Sequence, residues 1–161
     1  MKKFISLYLF FLAFFFIFFY ADTSALSVNL NEKQIELTIY LLKPFLKTNQ
    51  IIGIDIWINP YYKIYISQAC NGFIPLFFLW SAILAYPSKI YYKLLWLPIG
   101  YVTFSIVNVM RLLLVVYFVE HEGGRANFYW SHDLLGNAIL MATGLSLFIL
   151  FIKTTSKTLS H

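Results

Sequence analysis

The sequence predicts an all-α membrane protein: a four-span helical bundle carrying an extracytoplasmic amphipathic helix and a small β-hairpin. Three observations lead there. Of 161 residues, 60% are hydrophobic and 20% aromatic while only 12% are charged, and mean hydropathy is +0.73. A soluble domain of this size has too little interior to hide that much apolar surface. Apolar runs recur at about 4–20, 72–86, 94–118 and 134–152. The lysines then orient those runs: Lys2, Lys3, Lys89, Lys93, Lys153 and Lys157 fall in segments assigned inside, with no acid among them, as the positive-inside rule requires. The chain reads as one integral membrane domain over residues 1–161, with an outer segment at 21–71.

The elements follow in order. Residues 4–20, FISLYLFFLAFFFIFFY, stand behind Lys2-Lys3. They read as a first helix, or as a signal peptide cut around Ala25; either way residue 21 onward lies outside. Residues 32–47 put Ile35, Ile39, Leu42 and Leu46 on one stripe and Glu32, Glu36, Lys43 and Lys47 away from it. That pattern predicts an amphipathic helix lying on the membrane, ended or bent by Pro44. Ile54, Ile56 and Ile58 alternate with Asp55 and Trp57, and Ile64 and Ile66 with Tyr65, around Asn59-Pro60. Two short strands and a turn are expected. The second apolar run, Phe73–Tyr86, is short for a bilayer. The third is interrupted by Pro98, Gly100, Asn108 and Arg111, and the fourth follows the polar loop VEHEGGRANFYWSHD. All seven acids, Asp22, Glu32, Glu36, Asp55, Glu120, Glu122 and Asp133, fall in outer segments. Tyr and Trp at 57, 61, 62, 65, 129 and 130 suit an interfacial belt.

Several function classes drop out. The net charge of +5 forms no basic face, so nucleic acid is not an expected partner. The lone cysteine, Cys70, excludes an intramolecular disulfide framework and any multi-cysteine zinc or iron–sulfur site. A zinc hydrolase needs H-E-x-x-H, but HEGGR has Arg125 at the second histidine. No G-x-S-x-G is present. No cofactor and no metal are expected.

Topology brings three reactive residues to one level. Cys70 begins the second run on the outer side. Arg111 stands 18 residues after Lys93, roughly 27 Å along a helix, which returns it to that side. His132 begins the last run there. A cysteine attacks only as thiolate, and a helix N-terminus favours that anion. Arg111 offers a permanent charge to a thiolate or an oxyanion. His132, behind Ser131 as a helix cap, is expected neutral and able to accept and return a proton. Asp133 is its neighbour. Asn108, one helical turn from Arg111, can orient the guanidinium; Asn71 and Gly72 follow the thiol directly, and Gly72 permits close backbone approach or is a plain helix-entry glycine. Each residue has a plainer role open to it: a small buried hydrophobe for Cys70, an ion pair with Glu120 or Asp133 for Arg111, a helix cap or interfacial site for His132, a helix–helix hydrogen bond for Asn108.

ACNGF (69–73), NVMR (108–111) and SHD (131–133), in that order among membrane spans, resemble the exosortase/archaeosortase family, here in a short core form. The match covers roughly residues 30–150. The resemblance implies a cysteine transpeptidase or protease of the cell (inner) membrane, with both termini cytoplasmic and the site extracytoplasmic. Its catalytic set would fall on Cys70, Arg111 and His132. Its partners would be membrane lipid and exported proteins whose C-terminal sorting signal comprises a short motif, a transmembrane helix and a basic tail, as in PEP-CTERM proteins. The chain departs from many members in having Asn71, not Ser or Ala, after the cysteine, and in being shorter. The alternative is a non-enzymatic membrane protein, a transporter subunit or assembly factor, in which Cys70 would be dispensable.

Overall fold

A computed structural model describes residues 2–21, 24–47, 49–121 and 128–157. Asp22, Glu122 and Arg125 lie outside them. Helix α1, Lys2–Phe15, continues through a π-helical turn to Tyr20. Helix α2 spans Ala25–Leu42, α3 Phe73–Ala85, α4 Ile90–His121 and α5 Asn137–Lys157, the last preceded by a π-helical segment at Tyr129–Gly136. Three helical runs are long and apolar enough to cross a membrane: Lys2–Tyr20, Ile90–His121 and Tyr129–Ser156. With the composition, they mark a membrane protein. Helix α3 has 13 residues, roughly 20 Å of rise against a hydrocarbon core of about 30 Å.

Helix α4 runs unbroken for 32 residues, with Pro98 inside it. The interruptions expected there are absorbed by packing. At Gly100, a Cβ would sit 3.1 Å from Leu79 Cδ2, so the missing side chain lets α3 close against α4. Trp80 Nε1 donates to the Leu97 carbonyl at 3.0 Å.

The β region differs from a two-stranded hairpin. A short strand β1 (Ile51–Ile52) precedes β2 (Asp55–Asn59) and β3 (Tyr62–Tyr65), and the three form an antiparallel sheet in that order. Gly53 turns between β1 and β2 at φ 64°. At the β2–β3 turn, Asn59 Oδ1 accepts from the Tyr61 amide at 2.9 Å, an Asx turn. Ile56, Ile64 and Ile66 point inward and are fully buried or nearly so.

Two apolar cores result. One joins the sheet and α2 to the later part of α4, through Ile39, Leu42, Ile56, Ile64, Ile66, Leu112, Val115 and Val119. The other fills the helical bundle and is rich in aromatics, with Phe15, Phe73, Phe77, Phe104 and Phe151 among its members. The segment between β3 and α3 crosses from one to the other: Cys70 belongs to the first core, Phe73 to the second.

Helix α2 corrects the surface-helix expectation. Its apolar stripe does face the first core, with Ile35 and Leu46 packed beside buried Ile39 and Leu42, and Pro44 lies in the 3-10 turn that ends it. But Ser27, Asn31, Gln34 and Thr38 are buried as well, while Leu26 and Tyr40 are exposed. Spacing of three or four residues makes those four polar groups one stripe. They are buried because each finds a hydrogen bond: Ser27 and Thr38 with backbone, Asn31 and Gln34 with distant segments.

Candidate active site

The thiol sits on a 3-10 turn, Gln68–Cys70, whose Cys70 amide bonds the Ser67 carbonyl at 2.9 Å. Gly72 then reverses the chain into α3 at φ 80°. Glycine is required there twice over. Its φ is left-handed, and a Cβ would lie 3.3 Å from Asn108 Cγ. Asn71 stands just before the Gly72 N-cap of α3, and its Oδ1 accepts from the helix's first amide, Phe73, at 2.9 Å. Two neighbouring elements hold this turn. Asn108 on α4 donates to the Cys70 carbonyl at 2.7 Å. From α2, Asn31 Oδ1 accepts from Asn71 Nδ2 at 2.6 Å and Gln34 Nε2 donates to the Asn71 carbonyl at 3.3 Å. Gln34 Oε1 in turn accepts from Tyr101 on α4 at 2.7 Å.

The structure brings Cys70, Arg111 and His132 together. Cys70 Sγ is 3.2 Å from His132 Nε2. The same ring nitrogen is 3.1 Å from an Arg111 terminal nitrogen, which also reaches the His132 carbonyl at 3.3 Å. His132 Nδ1 lies 2.7 Å from Asp133 Oδ1. The carboxylate can only accept, so it fixes the proton on Nδ1 and leaves Nε2 facing the thiol. Phe128 stacks on the imidazole, with centroids 4.8 Å apart. Cys70 and Arg111 are 4% and 2% exposed, and the His132 side chain 12%, so the histidine is the least buried of the three.

Arg111 forms no ion pair with Glu120, whose carboxylate is held by Lys47 at 2.6 Å. Its other terminal nitrogen reaches Asn108 Oδ1 at 3.3 Å, and Nε is buried with no hydrogen-bond partner among the described residues. The guanidinium therefore has donor capacity left over. Gly136 makes its path possible: a Cβ there would lie 2.5 Å from Nε and 3.0 Å from Cγ.

Local electrostatics favour the thiolate. Burial pushes the Cys70 thiol up, but the hydrogen bond to His132 and the charge the ring carries once it holds the thiol's proton, helped by Ser67, outweigh it and leave the thiol below its ordinary value. The helix-terminus explanation gives way here. Ser131 is not a cap, since it lies inside the helical segment and its hydroxyl donates back to the Phe128 carbonyl at 3.4 Å. Asp133, not a helix end, orients the His132 ring through Nδ1. The π-helical winding of Tyr129–Gly136 brings Ser131, His132 and Gly136 toward Arg111, with Ser131 and Gly136 buried. Sequence reasoning missed Asn31, Gln34, Tyr101 and Gly136. The available signal for the first two was a stripe of uncharged polar groups, Ser27, Asn31, Gln34 and Thr38, segregated from Glu32, Lys33 and Glu36.

No curated protein and no solved structure matches the chain. A family model described as transmembrane exosortase (Exosortase_EpsH) matches residues 2–151, a span that includes every residue of the site. The chain therefore belongs to the transmembrane exosortase family.

Proposed function

We propose that this membrane protein is a cysteine transpeptidase or protease that removes the C-terminal sorting signal of exported proteins. The observation that carries this reading is the 3.2 Å approach of Cys70 Sγ to His132 Nε2, with Arg111 3.1 Å from the same nitrogen. The chain is read as four spans with both termini cytoplasmic and α3 as the short second span. The positions of the lysines support that orientation. The site then lies at the extracytoplasmic end of the bundle.

In the proposed reaction, His132 Nε2 takes the proton of the Cys70 thiol. The thiolate attacks the peptide carbonyl just outside the membrane. Arg111 donates to the oxyanion, for which its unpaired Nε and terminal nitrogens have capacity. The C–N bond breaks as His132 returns its proton to the leaving nitrogen, and the substrate's tail helix and basic end depart. The acyl group stays on sulfur as a thioester. An amine or water then attacks, giving up a proton to His132, and the thiol is restored. Asp133 keeps the imidazole in one tautomer throughout. Membrane lipid surrounds the bundle, and docking of the substrate's own helix against it would fix the depth of the cut.

The test is co-expression with an exported protein ending in a short motif, an apolar helix and a basic tail. Cys70→Ala is expected to lower release of the tail by at least about 10³-fold while remaining in the membrane at normal abundance. Normal release by that variant would leave the non-enzymatic reading standing.

A further inference from the structure

We propose that Asn31 is a positioning residue for the Cys70 thiol, acting from α2 through Asn71 on the Cys70–Gly72 turn. The proposal rests on Cys70 being the nucleophile. Asn31 is 4% exposed. Its amide nitrogen donates to the Phe19 carbonyl at 3.2 Å and the Ser27 carbonyl at 2.7 Å, and its oxygen accepts from Asn71. One side chain thus ties the end of the first helical run, the start of α2 and the turn that carries the thiol. Asn71, 1% exposed, depends on it. The Asn71 oxygen is committed to the Phe73 amide, so its nitrogen needs an acceptor, and Asn31 supplies it. Without that acceptor the buried Nδ2 is orphaned, and the side chain must turn to find another. Turning it would break the Asn71–Phe73 bond and leave the residue next to the thiol held from α2 by Gln34 alone, at 3.3 Å.

The consequence falls on the sulfur. The carbonyl of Cys70 is held from α4 by Asn108, and the Asn71 that follows is held from α2. These two anchors fix where Sγ stands relative to His132. An added 1 Å would take the 3.2 Å contact out of hydrogen-bond range. A polar group that merely filled space on α2 would have no such reach. Thr38 is the internal control: it is equally buried on the same stripe, but its hydroxyl bonds only the Gln34 carbonyl of its own helix, at 2.8 Å.

The test uses the full-length protein in detergent, whose single cysteine permits an unambiguous readout. Modification by methyl methanethiosulfonate is followed by intact mass across pH. Asn31→Leu is expected to slow modification about tenfold at neutral pH and to move the profile upward, the scale of one lost hydrogen bond to a charged group. If Asn31→Leu does not accumulate, Asn31→Ser, whose side chain is too short to reach Asn71, takes its place with the same expectation. The double variant with Asn71→Ala should be no slower than Asn71→Ala alone, and Thr38→Val should keep the original profile. A wild-type profile for Asn31→Leu or Asn31→Ser, additive losses in the double variant, or an equal shift in Thr38→Val would each overturn the proposal. His132→Ala, run in parallel, separates this from failure of the underlying reading: if it leaves the profile unmoved, the thiol–imidazole pair itself is wrong.

Discussion

Two polar clusters lie side by side in this bundle, and they are built on opposite plans. In the amide network of Asn31, Gln34, Asn71, Tyr101 and Asn108, the donors have defined acceptors, at 2.6–3.3 Å. In the cluster of Cys70, Arg111 and His132, one ring nitrogen faces two donors, at 3.2 and 3.1 Å, and a guanidinium nitrogen has no partner among the described residues. A neutral imidazole has one lone pair at Nε2 and can satisfy only one of those donors at a time. The first plan fixes backbone. The second leaves one ring nitrogen shared and a donor without an acceptor, which in the proposed reaction is where a proton moves and an oxyanion is met. The contrast teaches where to look for function in a buried polar site: at the groups whose partners do not add up.

Substitutions can break this contrast. Short of removing the thiol itself, the largest effect is expected from His132→Ala, which removes both the proton acceptor and the group that lowers the thiol. Tail release should fall by about 10²–10⁴-fold with unchanged thermal stability in detergent, measured by release of the substrate's tail helix and by a melting curve. A variant that melted early instead would move His132 into the structural cluster.

A smaller loss, about 10²-fold, is expected for Arg111→Lys. The charge survives, but an ammonium cannot address His132, Asn108 and an oxyanion from one planar fork. The reading is kcat at saturating substrate, and a rate equal to wild type would mean that charge alone suffices.

The smallest catalytic effect, and the largest structural one, belongs to Asn108→Ala. It leaves the Cys70 carbonyl without its 2.7 Å donor and should cost about 1–3 kcal/mol, seen as a lower melting temperature with about a tenfold loss of rate, the scale expected for the turn's other anchor. Full stability in that variant would erase the distinction between the clusters.

The reactive cluster was legible in the sequence because membrane topology does the counting. Helix rise and lysine placement bring residues 70, 111 and 132 to one level, and a lone Cys, an intramembrane Arg and a His beside an Asp are rare enough to notice. The amide network was not legible. Asn31 and Gln34 sit among Glu32, Lys33 and Glu36; the uncharged stripe marks their face, but the partners that bury them, Phe19 and Asn71, lie 12 and 37–40 residues away. For the same reason the stripe of Ile35, Ile39, Leu42 and Leu46 pointed to a membrane surface when it packs under a sheet. The π-helical winding at Tyr129–Gly136 has no compositional mark, so Ser131 read as a cap and the control of His132 was assigned to a helix end in place of Asp133. The third apolar run read as one span across Pro98, and the helix does run through that proline, with Gly100 and Trp80 packed beside it.

The most direct test of the central claim, that Cys70 and His132 act as a thiol–imidazole pair, is the pH dependence of Cys70 modification in the unaltered protein and in His132→Ala. Burial alone raises the thiol, and His132 with Ser67 brings it below its ordinary value. The account therefore predicts a wild-type midpoint below that of a free thiol, with reactivity present above it and lost as pH falls through it, and an upward shift once His132 is gone. A midpoint at or above the free-thiol value that does not move in His132→Ala would contradict it.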